Sequence, residues 1–409
     1  ALLAGANLRF DTGGDLTNSG TIAGRQVVAL TAENLKNLGG LIHGKETFAL
    51  ARHDLSSLGG VIEAQDRLIA SAGHDLTVQS RTVDLSFRQN GKTANSVNQT
   101  VIDRVAGLYV SGNPSTGAGG TLIASAGNDL SLLAAAIINT APTAAGTVGG
   151  AVTPTPAGTT LLSAGHNLTL GTVSETSSAL STAKKTRWSE TRSSEVGSNI
   201  QTSGNLTLQA GGDLSARAAD VSSEHGALTA LAANDLTIEA GQATYDMTYD
   251  RKSSKSGFLS SSSKVRHDAV STTSALGSSF SGHTVDLAAD RDIAIKGSNV
   301  TATGDLTATA RRDLSVEAVT ETHSETHYQK TKQSGVFSSG GFGVTIGSRM
   351  NSTDQQMQST TAAASTVGSV EGKVTLTAGQ HYRQVGSDVL APAGDIAVTA
   401  QTIDILEAR

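Results

Sequence analysis

The sequence predicts an all-β chain, a parallel β-helix (solenoid) from which long β-hairpins leave at intervals. Three observations predict it. A short phrase recurs along the 409 residues: "SAGHDLTV" from Ser71, "ASAGNDLSL" from Ala124, "LSAGHNLTL" from Leu162, "QAGGDLSA" from Gln209, "LAANDLTI" from Leu231 and "TARRDLSV" from Thr309. Between copies lie short alternating runs bounded by Gly, Asn and Asp, such as "GLIHG", "GVIEA" and "RLIASAG", the period-2 pattern of strands punctuated by turns. After residue 80, stretches rich in Ser, Thr, aromatic and basic residues interrupt the repeat.

The first eighty residues set the coil. The Leu of the motif falls at Leu16, Leu35, Leu55 and Leu76, with gaps of 19, 20 and 21 residues. Strands of three to five residues at that spacing fit one turn of a solenoid whose coils stack at about 4.8 Å. The four leucines are expected in one inward column. Composition suits a thin core: 37% hydrophobic residues but 3% aromatic, with 45 glycines and five prolines. The patterning excludes a disordered chain, and no segment sustains the 3.6-residue period of a helical solenoid.

The residue before Asp-Leu varies among His53, His74, Asn128, His166, Gly212, Asn234, Arg291 and Arg312. A position that accepts all of these faces solvent. The next residue is Asp or Asn at Asp15, Asn34, Asp54, Asp75, Asp129, Asn167, Asp213, Asp235, Asp292 and Asp313. Such side chains bond the backbone two residues on in turns, so a structural turn role is expected. The glycine-rich nonapeptide of calcium β-rolls is absent.

A longer period governs the rest. Asp129, Asp213, Asp292 and His381 stand in equivalent places, 84, 79 and 89 residues apart, with "KGSNV" and "VGSDV" sharpening the correspondence. The excursions between fall at about 80–119, 172–199, 243–281 and 320–368. They are assigned ten of the thirteen aromatics: Phe87, Tyr109, Trp188, Tyr245, Tyr249, Phe258, Phe280, Tyr328, Phe337 and Phe342. "KSGFLSS" from Lys255 and "KQSGVFSS" from Lys332 share a signature between alternating arms, which predicts hairpins tipped by Gly257-Phe258-Leu259 and Gly335-Val336-Phe337. The candidate membrane or partner contacts are Trp188, Tyr249, Phe258, Leu259, Tyr328, Val336, Phe337 and Phe342. Two uses are open for them: covering apolar coil faces, or presenting tips to a lipid surface or partner.

"VIDRVAGLYVSG" from Val101, "SSEVGSNIQTSGNLTL" from Ser193, "SGFLSSSS" from Ser256 and "GSDVLAPAGDIAVTAQ" from Gly386 resemble filamentous haemagglutinins and contact-dependent growth inhibition (CdiA-like) effectors. Residues 1–79 are similar to the first, shorter repeat type of that family, and 80–409 to its second haemagglutinin repeat region. The resemblance implies a right-handed β-helix secreted to the bacterial cell surface through an outer-membrane two-partner-secretion transporter. It implies a stalk that engages the target cell's outer membrane or a receptor there, and supports delivery of a C-terminal toxin carried by the parent chain. The alternative it implies is an adhesin segment binding a host receptor or glycan. The opening "ALLAGANLRF" begins within a repeat, so the chain is read as an internal fragment.

No catalytic, cofactor or metal site is expected. There is no cysteine, hence no disulfide, thiolate ligand or Cys nucleophile. His323 and His327 in "THSETHYQ" alternate as a strand would, which places them on one side but about 13 Å apart. No carboxylate spacing marks a glycosidase pair. The net charge of −6 gives no global field for nucleic acid, and none is expected as a partner.

Overall fold

A computed structural model describes residues 1–115, 117–141, 158–338 and 344–408. The described residues are all β, with no helix, in two parallel sheets of 18 and 12 strands and one antiparallel sheet of eight. Each pass of the chain gives short strands to both parallel sheets and pairs with the pass one level on. The twelve-stranded sheet shows this most simply: Leu35–Leu38 pairs with Leu55–Leu58, which pairs with Leu76–Gln79, and so on to Thr402–Leu406.

Register turns the sequence repeat into a core. Leu16 pairs with Leu35, Leu35 with Leu55 and Leu55 with Leu76. The column continues through Leu130, Leu168, Leu214, Leu236, Ile293 and Leu314 to Tyr382. From Leu35 to Tyr382 these side chains are buried, and each buried Leu contributes about 2 kcal/mol. The expected inward column is therefore observed, and its last fully buried member is an aromatic, in register with exposed Ile403. Tyr382 is 1% exposed, its hydroxyl donates to Gln384 at 3.0 Å, and burial pushes its pKa up to about 12.

The column two residues on changes character. Asn18, Asn37 and Ser57 are buried and polar, and Asn18 donates to Asn37 at 2.9 Å. Ser57 then pairs with Val78, and Leu132, Leu170, Ala216, Ile238, Ile295 and Val316 follow.

The Asx residues of the motif act differently from the expected turn bond. From Asn34 onward the Oδ1 accepts the backbone N–H of the matching residue one coil later: Asn34 from Asp54, Asp54 from Asp75, Asp75 from Asp129, Asp129 from Asn167, Asn167 from Asp213 and onward to His381; Asp15 accepts the Asn34 side-chain amide instead. The bond runs from one coil to the next rather than within the turn. The variable residue before it is exposed at His53, His74, His166, Asn234, Arg291 and Arg312, whereas Asn128 is half-buried and Gly212 buried; His74, His166, Arg291 and Arg312 each reach back to the acid of the preceding coil. The motif's glycine has a steric reason: a Cβ on Gly127 would run into the carbonyl oxygen of Gly73 on the coil before.

Among the described residues, four hairpins leave the stack: Arg81–Gln89 with Thr93–Arg104, Val173–Ala183 with Thr186–Val196, Gly241–Ser256 with Ser260–Leu276, and Val319–Ser338 with Val344–Ala363. Each departs after a strand of the twelve-stranded sheet, and from Leu76–Gln79 onward only every second such strand releases one. The interval has a metric cause. A hairpin is two strands wide and two coils are two strand spacings high, both about 9.6 Å. Successive hairpins therefore meet edge to edge, and all four join in one antiparallel sheet. Where they leave, inward serines bridge the coils: Ser278 accepts from the Ala219 N–H and donates to the Glu239 carbonyl, while Ser298 and Ser365 continue the ladder.

Two aromatics assigned to excursions lie elsewhere. Tyr109 sits in the coil strand Gly107–Val110, and Phe280 is fully buried in the core, in register with Val221 and Val300. The composition of these segments is mixed because coil strands directly flank the hairpins.

Candidate interaction surface

The hairpin sheet lengthens along the rod, from arms of 9 and 12 residues in the first hairpin to 20 and 20 in the fourth. At about 3.3 Å per residue the last arms reach about 66 Å. Among the described residues the eight strands pair only with one another, and none of their described side chains belongs to the coil core.

Register sorts the arms into two faces. One cross-strand row is Thr100, Thr176, Ser193, Thr244, Thr273, Thr322 and Thr360, a hydroxyl row across seven strands. On the opposite face a row of Leu85, Gln99, Ser177, Arg192, Tyr245, Thr272 and His323 runs beside it. There the Arg192 guanidinium lies 4.9 Å from the Tyr245 ring centre, a contact that supports the sheet through cation–π attraction.

The third and fourth hairpins are fastened by charge. Asp268, 7% exposed, receives Arg266 at 2.5 Å and His327 Nδ1 at 2.9 Å. Burial raises its carboxyl, but the bonds from His327 and Arg266 outweigh this and hold it below the usual carboxylate range. Asp268, followed by Glu325, holds the His327 imidazole above its ordinary value. Glu325 lies between His323 and His327, 3.1 and 3.4 Å from their Nε2 atoms. The two histidines share a face as expected, and what stands between them is a carboxylate.

The candidate contacts fall into separate places. Trp188 and Tyr249 are paired and half-buried on one face, whereas Tyr328 pairs with His267 on the other. Phe258 is fully exposed and Leu259 largely so, at the turn of the third hairpin. The second expected tip is a correction: Gly335, Val336 and Phe337 lie in a strand, where Gly335 pairs with both Ser260 and Gly347. The fourth hairpin's arms outlast the third's, so the matching phrase sits level with the neighbour's turn and short of its own. Val336 is 40% exposed, and Phe337 is stacked under Arg349. Phe342 lies outside the described residues.

Sequence reading missed two members of this surface, exposed Ile346, paired with Val336, and exposed Met350, paired with Lys332; isolated apolar residues in a polar arm gave no pattern. In the distal sheet the basic residues stand apart from the acids. Beyond Asp250, Asp268 and Asp354 the described arms carry Arg251, Lys252, Lys255, Lys264, Arg266, Lys330, Lys332 and Arg349 and no acid. The acids that share the excursions lie nearer the coils.

On the coils, the closest grouping of metal-ligand types among the described residues is His53, Asp54 and His74. The two rings stack at 4.7 Å, and Asp54 Oδ1 is already bonded to His74 and to the Asp75 N–H.

Residues 179–261 and 257–405 match the model of the hemagglutinin repeat. Among curated proteins, the chain is similar to the tRNA nuclease CdiA of Escherichia coli strain STEC_O31, 30% identical over 51% of this chain and 6% of that protein. The deoxyribonuclease CdiA of Dickeya dadantii strain 3937 is 33% identical over 53% of this chain and 6% of its own length. The tRNA nuclease CdiA-2 of Burkholderia pseudomallei strain 1026b is 25% identical over 98% of this chain and 14% of its own length. The chain thus spans a small part, 6 to 14%, of these relatives. No solved structure matches it.

Proposed function

Because this chain belongs to the hemagglutinin repeat family, we propose that it is a non-enzymatic stalk segment of a secreted, surface-exposed CdiA-like protein, and that its hairpin sheet engages the outer membrane of a target cell. The coil stack is then a right-handed parallel β-helix. Parallel pairing of every coil with the next supports this, since crossover connections between parallel strands are overwhelmingly right-handed. Residues 1–79 form a first repeat type and 80–409 a second. The switch from buried Asn and Ser to Val and Leu at Ser57–Val78 supports that boundary.

The observation that carries the proposal is the distal sheet: eight basic residues without an acid, ending in exposed Phe258, Leu259, Ile346 and Met350. Cations draw such a surface to anionic headgroups and the apolar crown enters the interface. Trp188, Tyr249 and Tyr328 then stiffen the arms, whereas Phe258, Leu259, Val336 and Phe337 belong to the contacting end. The proposed partners are the two-partner-secretion transporter during export, the target-cell outer membrane or a receptor in it, and a C-terminal toxin in the parent chain.

The test replaces Phe258, Leu259, Ile346 and Met350 with serine in the full-length parent. Secretion and the circular dichroism of the segment should be unchanged, while association with target bacteria and toxin delivery fall severalfold. Normal delivery by this variant would sink the proposal. Loss of binding to host cells or glycans, with bacterial association intact, would instead favour the adhesin reading.

A further inference from the structure

We propose that the outer strand Val344–Ala363 is a docking edge that accepts one more antiparallel hairpin of the same class, delivered from a coil two levels beyond the one that releases the fourth. The strand pairs on one side only, with Val319–Ser338, in unbroken register over all 20 residues and without a bulge. Its other side presents unpaired backbone N–H and C=O groups, and residues 345–362 are exposed throughout. Sheet edges are ordinarily blunted by shortness, Lys, Pro or bulges. This one is long, contains no Lys or Pro, and carries only Arg349 and Asp354 as charges. The opposite edge, Arg81–Gln89, is short, holds three charged residues, and faces a register shift in its partner at Ile102/Arg104.

The occupant follows from the pairing rule already present three times. The returning arm of one hairpin takes the outgoing arm of the next: Thr93–Arg104 takes Val173–Ala183, Thr186–Val196 takes Gly241–Ser256, and Ser260–Leu276 takes Val319–Ser338. Val344–Ala363 is a returning arm. The strand Thr402–Leu406 stands two coils beyond Asp313–Glu317, from which the fourth hairpin departs. A hairpin released there arrives two strand spacings along, with its outgoing arm antiparallel to the open edge. A second copy of the chain has no such phase relation, so the occupant is the arm of a neighbouring repeat.

The experiment extends the chain directly after Glu407 with a copy of residues 241–318, in phase, since Glu239, Glu317 and Leu406 share one register position. A control extension inserts a second, hairpin-free copy of residues 387–407 before the same graft, one coil out of phase. Hydrogen exchange of the amides in Val344–Ala363 is the readout. Exchange should slow by roughly tenfold or more in the in-phase protein and stay unchanged in the control. Protection in both or in neither overturns the proposal, as does concentration-dependent protection of the unextended chain, which would mark self-association. If the grafted coil itself fails to gain protection, a synthetic peptide of residues 241–276 is added in trans. Saturable protection of the edge then supports the proposal, and its absence overturns it.

Discussion

Asp75 shows what one side chain does in this fold. Its Oδ1 accepts the Asp129 N–H at 3.1 Å and the Asn128 amide at 2.9 Å. Asp75→Ala leaves that N–H without its partner and should cost about 1 kcal/mol, whereas Asp75→Asn, which keeps an Oδ1, should cost far less; urea unfolding of the two variants separates them. The recurrence of Asp was legible in sequence and its exposed neighbour was correctly placed in solvent. Its bonding partner was not, because it lies a whole coil away, across 54 residues in the Asp75–Asp129 link. At Asp292 the bond from Arg312 holds the carboxyl low against burial. A lowered folded value contributes stability above the unfolded pKa of about 3.9, lost as pH falls through the folded one. His327 has the opposite sign: its raised value stabilises below about pH 6.5 and that contribution disappears as pH rises through the folded value. Amide protection between the third and fourth hairpins should therefore decline from pH 6 to pH 9, and His327→Gln should abolish the decline.

A hairpin here is held by its neighbours as much as by its own turn. Replacing residues 242–275 by a short turn should leave the coils folded but separate Thr186–Val196 from Val319–Ser338 by three strand spacings, beyond pairing distance. Faster exchange in both strands, with unchanged exchange at Leu214 and Leu314, is the expected result; unchanged strands would show that the hairpins stand independently. The excursions were legible because their composition departs from the coil pattern. Their side-by-side pairing was not, since it depends on two lengths that match in space, the hairpin's width and the height of two coils. "KQSGVFSS" was misread as a tip for a related reason: its likeness to "KSGFLSS" reports a shared level in the sheet, and arm length decides where the chain turns.

Across the whole molecule, each level contacts chiefly the levels above and below. Leu214→Ala should cost about 2–5 kcal/mol, and in a stack of this kind the loss stays near its origin. Exchange should quicken around Leu168, Leu214 and Leu236 and remain slow at Leu35 and Leu55; uniform quickening would mean that the stack unfolds as one unit. The inward columns were readable because stacking demands the same residue class at each level. The apolar crown at the far end of the sheet was only partly readable, since no periodicity governs Ile346 or Met350.

The Asx column has a direction. At each step the donor belongs to the later coil and the side-chain acceptor to the earlier one. A nascent chain emerging N-terminus first would therefore meet, at every level, a carboxylate or amide oxygen already fixed in place by the finished level below. Growth from the other end would have to seat a mobile side chain onto a backbone already set. The column works as a one-way template, so assembly nucleated at the N-terminal end should advance faster than assembly seeded from the C-terminal end.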